Sequence, residues 1–60
     1  MFICTNDRYC ETPDLFTSVA EFLSMCAACF GERPNLTRRI GPGSCVEYID
    51  ETGAVVLRTA

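Results

Sequence analysis

Sixty residues with a net charge of −3, eight acids against five arginines and no histidine, make one small domain. That charge opposes general nucleic-acid binding, which needs a concentrated basic face to displace phosphate counterions. With 48% apolar residues the chain lies outside the disordered class, yet at this length only about 60% of the unfolded surface leaves water, so a disulfide, a metal or a second copy must add to the core.

Met1 to Thr5 is short, apolar and partly β-branched, and the turn signal Asn6-Asp7 follows it, so it reads as a first strand. Thr12 suits a helix N-cap, Pro13 the first helical position and Asp14 the positive end of the dipole, so a helix is expected to start there. It is expected to end near Phe30, because Gly31 fits the left-handed residue after a helix and Pro34 forbids continuation. At helical spacing Leu15, Val19, Phe22, Leu23, Cys26 and Phe30 share one side, widened by Phe16, Ala20 and Ala27. That arc covers roughly half the circumference, more than the ~100° stripe that meets one surface.

Leu36 to Ile40 reads as a strand, Gly41-Pro42-Gly43 as a turn, and Ser44 to Asp50 as another strand. Glu51-Thr52-Gly53 then forms a hairpin loop, and Ala54 to Thr59 the returning strand. The expected fold is α+β: a two-layer sandwich of one helix on a small, mainly antiparallel sheet in the order β-α-β-β-β, one domain over residues 1–60. Periodicity does not choose which edge the first strand joins. In the last hairpin Val46 and Tyr48 oppose Cys45 and Ile49, and Ala54 and Val56 oppose Val55 and Leu57, so both faces carry apolar side chains and only one can meet the helix.

Five cysteines would suit a secreted disulfide scaffold, but the count is odd. Asp7, Arg8 and Glu11 interrupt any apolar leader, and Leu15 to Phe30 is too short for a membrane span and carries Glu21. Reduced thiols in a cytoplasmic protein are therefore expected. The pair Cys26-x-x-Cys29 falls in the last helical turn, where the dipole disfavours a thiolate, whereas redox pairs stand at helix N-termini. Cys26 reads as core, and Cys10 as the cysteine with the best prospect of exposure.

The alternative chemistry is a zinc or redox site drawn from Cys10, Cys26, Cys29 and Cys45, though one CxxC without histidine is a weak signature. Asp7, Glu11 and Asp14 read as a solvated loop, and Glu47, Asp50 and Glu51 as charges that keep the hairpin end wet. Arg33, Arg38 and Arg39 are the one basic cluster and carry a second alternative, a nucleic-acid accessory role; Arg38 and Arg39, as strand neighbours, project to opposite faces. Asn35-Leu36-Thr37 matches a glycosylation acceptor, without meaning in the cytoplasm. Without histidine or lysine a nucleophile lacks its usual base, so no enzyme and no cofactor are expected. The leading expectation is a self-associating interaction module, a homodimer that binds another protein, with Phe16, Leu23, Val46, Tyr48 and Val56 at the interface.

Overall fold

The structure, a computed structural model, describes residues 1–10 and 13–60. Its elements in chain order are β1 (Phe2–Cys4), β2 (Asp14–Phe16), α1 (Val19–Phe30), β3 (Thr37–Ile40), a 3-10 turn at Pro42–Ser44, β4 (Val46–Ile49) and β5 (Val55–Thr59). The five strands form one sheet in the order β2-β1-β5-β4-β3, antiparallel at every pairing. One helix on an antiparallel sheet is the expected α+β sandwich. The first strand joins the meander at β5, with Cys4 opposite Leu57.

The segment after Pro13 differs from the sequence expectation. Asp14–Phe16 is a strand paired with β1, and the helix begins later, at Val19. Leu15 is exposed and Phe16 buried, the alternation of a strand covered on one side. Ser18 caps the helix instead: it has extended backbone (φ −152°, ψ 162°) and its hydroxyl accepts the Glu21 amide at 3.1 Å. The Glu21 carboxylate then meets the Thr17 hydroxyl rather than reaching the cap amide, so the capping box is only half formed. The proposed N-cap Thr12 lies outside the described residues. At the other end Gly31 takes the expected left-handed conformation (φ 78°) and its amide donates to the Ala27 carbonyl.

The core joins Cys4, Phe16, Phe22, Cys26, Val56 and Leu57. Val56 and Leu57 are adjacent, which strict alternation would place on opposite faces. A β-bulge resolves this: Leu57 lies opposite Tyr48 and Val55 opposite Ile49, so Val56 is the extra residue and both side chains enter the core. Phe22 packs edge-on against Phe16 and Tyr9, at centroid distances of 5.3 and 5.9 Å.

Candidate functional site

Burial on the helix side of the sheet falls off strand by strand. Phe16 on β2, Cys4 on β1 and Leu57 on β5 are buried, Val46 and Tyr48 on β4 are half-buried, and Ile40 on β3, paired with Val46, is 61% exposed. The reason is width. A helix about 10 Å across covers two or three strands spaced about 4.8 Å apart, and this sheet has five. α1 follows edge strand β2 in sequence, and the buried strand residues of its core lie on β2, β1 and β5, with Tyr48 of β4 and Leu36 before β3 packed at the margin. The β4-β3 half of the same face carries a floor of Tyr48, Val46 and Ile40 with the exposed Arg38 opposite Tyr48, and Phe2 meets Tyr48 edge-on at 5.8 Å.

Leu23 on α1 is half-buried against the core. Met25 and Cys29 line a hollow beside Cys10, on the side of the β1-β2 connection. Leu23, two residues before Met25 and therefore about 200° round the helix, belongs to the opposite flank. Leu23, Val46 and Tyr48 are each half-buried, and none of them lines that hollow. Phe16 and Val56, expected at the same interface, are instead used in the chain's own core, Phe16 because β2 replaces the first helical turn and Val56 because of the bulge.

The opposite sheet face carries Leu15, Ile3, Arg58, Glu47 and Arg39 in one row across all five strands. Glu47 is buried there and accepts from Arg39 Nε at 3.0 Å. Arg38, one residue away, lies on the helix side opposite Tyr48, and Arg33 lies in the link after α1, so the three arginines do not form one basic surface.

Asp50 also departs from the solvated role expected of it. Its side chain is 2% exposed and accepts from the Thr52 hydroxyl (2.6 Å), the Thr52 and Ala54 amides (2.9 and 3.2 Å) and the Tyr9 hydroxyl (3.1 Å). The Thr52 hydroxyl foremost, with those amides and Tyr9, holds its carboxyl below the ordinary carboxylate range. Burial and the same Asp50 contact raise the Tyr9 phenol above its usual value. Above this pair opens a cleft of about 420 Å³ walled by Arg8, Tyr9, Phe30, Arg33 and Glu51. The Asp50 carboxylate at its floor is already engaged on both oxygens.

Of the cysteines, Cys26 is in the core as expected, while the exposed one is Cys29; Cys10 is half-buried against the core. Cys45 precedes β4, at the end of the sheet marked by Thr59 and Phe2, and Cys10 follows the turn beyond Cys4 at the other end. The set Cys10, Cys26, Cys29 and Cys45 is therefore not brought together. Among the described residues no group of three or more His, Cys, Asp or Glu side chains is arranged to hold a metal ion. No helix among them is long and apolar enough to cross a membrane. In comparisons with known proteins the chain matches no family model, no curated protein and no solved structure.

Proposed function

We propose that the protein is a non-enzymatic, cytoplasmic interaction module that self-associates through the helix-side half of its sheet and in that form binds another protein. The observation that carries this reading is one 12-residue helix on a five-stranded sheet, with burial decaying from Leu57 through Tyr48 to Ile40. A second copy is the occupant that this geometry favours. On this reading the floor of Tyr48, Val46 and Ile40 joins the flank of Leu23 in a single patch, and a two-fold dimer needs only one patch that matches itself. A standard interface takes about 800 Å² from each partner, about a fifth of the 3910 Å² that the chain exposes. The absence of histidine and lysine and the engagement of Asp50 within the fold favour binding over catalysis.

Sedimentation equilibrium tests the reading. The wild-type chain is expected to rise from its monomer mass towards twice that mass between about 10 µM and about 1 mM. Val46→Asp, which places a charge on the floor, is expected to give a folded monomer, while Leu15→Asp on the opposite face leaves the dimer intact. A wild-type monomer at all accessible concentrations would remove this proposal.

A further inference from the structure

Asn6 ties together one end of the molecule. Its carbonyl accepts the Tyr9 and Cys10 amides at 3.1 and 3.0 Å, its side-chain oxygen accepts the Arg8 amide at 3.0 Å, and its Nδ2 donates to the Val55 carbonyl on β5 at 3.1 Å. The Cys4 thiol points at the same Asn6 carbonyl, with Sγ 3.9 Å away. Cys4, the last residue of β1, and Cys10, just past the turn, therefore converge on one oxygen atom, Cys4 through its thiol and Cys10 through its backbone amide. Cys4 is buried, whereas Cys10 lines the shallow hollow shared with Met25 and Cys29 and can be reached from solvent.

We infer that Cys4 and Cys10 are a redox-responsive pair that closes to a disulfide across the Asn6 turn when a low-molecular-weight disulfide is the oxidant. The Cys10 thiolate attacks one sulfur of the oxidant and releases the first small thiol, leaving a mixed disulfide on Cys10. The Cys4 thiolate then attacks the Cys10 sulfur and releases the second. Two protein S–H bonds become one S–S bond, and their two protons end on the two released thiols. The bond would lock by covalency a turn that Asn6 already holds by hydrogen bonds. The step is restrained at neutral pH: burial and the neighbouring Cys4 push the Cys10 thiol up to about 12, so its reactive form is scarce. The rate of closure is expected to rise about tenfold per pH unit from pH 7 to 9.

The sequence provides the test, because Arg8 separates the two cysteines. Native protein is incubated with oxidised glutathione, quenched in acid, alkylated and digested with trypsin, which cuts after Arg8. The peptide Met1–Arg8, whose single cysteine is Cys4, is expected to remain joined to the fragment that starts at Tyr9, and reduction should free it. In Cys10→Ser that linkage should be lost, while Cys29→Ser retains it. Release of Met1–Arg8 with Cys4 alkylated or bearing glutathione would overturn the inference, as would linkage that survives Cys10→Ser.

Discussion

The Tyr9 hydroxyl donates to Asp50 Oδ2 across 3.1 Å, joining two residues 41 positions apart in the chain. The bond ties the turn after β1 to the β4-β5 hairpin, and the Tyr9 ring carries the tie on into Phe22 and Phe30. Removing only the bond is therefore expected to cost little and removing its acceptor much more. Tyr9→Phe should lower stability by about 1 kcal/mol, the net value of one such hydrogen bond. Asp50→Ala should lower the denaturation midpoint considerably further, because it also strands the Thr52 and Ala54 amides. Urea unfolding of both variants checks the order; equal midpoints would refute it.

The same pair sets the pH limits of stability. Asp50 is held below its unfolded carboxylate value, so its contribution is present above about pH 4 and is lost as pH falls through the lower folded value. Tyr9 is held above its unfolded phenol value of 10.0, so its contribution is present below pH 10 and is lost as pH rises through the higher folded value. Melting temperatures taken across the pH range should form a plateau falling at both ends, with the alkaline fall moved or reduced in Tyr9→Phe. An unaltered alkaline limb in that variant would contradict the assignment.

Gly41 is required by its neighbour rather than by its own backbone. A Cβ there would stand 2.7 Å from Glu47 Oε1 and 2.8 Å from Glu47 Cγ. Gly41→Ala must therefore displace Glu47 from Arg39, at a cost of about 1–2 kcal/mol. In a Glu47→Ala background the penalty should vanish, and a double-mutant cycle reads this directly. Additive effects would show that the contact is not the cause.

Cys26 settles how the CxxC is used. It is fully buried among Phe22, Val56 and Leu57, so Cys26→Ser is expected to cost on the order of 1–3 kcal/mol by placing a hydroxyl in apolar surroundings. Cys26→Ala should cost about 1 kcal/mol, because alanine favours the helix and leaves only a small void. Thermal melts with metal content measured alongside distinguish this from a ligand role: equal damage from both substitutions, with zinc released, would overturn the packing assignment.

The parts of the fold legible in sequence were those written in local chemistry. Gly31 and Pro34 mark the helix end, and the turns at Asn6, Gly41 and Gly53 separate the strands where expected. The helix starts later than Thr12-Pro13-Asp14 suggests because two signals compete within seven residues. Thr12-Pro13-Asp14 reads as a cap by composition, yet Ser18 with Glu21 three residues on is the capping pair that the chain uses. The three residues of β2 are too few for periodicity to detect, and they gain their pairing from β1. The bulge at Val56 and the burial of Asp50 depend on partners elsewhere in the chain, so no window around either residue contains the cause. Likewise the nearness of Cys4 to Cys10 comes from the turn that Asn6 fastens to β5.

Association through the partly covered β4-β3 half of the helix-side face is tested most directly by a dilution series followed by backbone amide NMR. Between about 10 µM and about 1 mM, a range that spans ordinary affinities for small interfaces, amide shifts should move at Leu23, Ile40, Val46 and Tyr48 and stay fixed at Ile3, Leu15 and Arg58 on the other face. Spectra independent of concentration with a monomer's relaxation rate, or shifts confined to Ile3, Leu15 and Arg58, would contradict it.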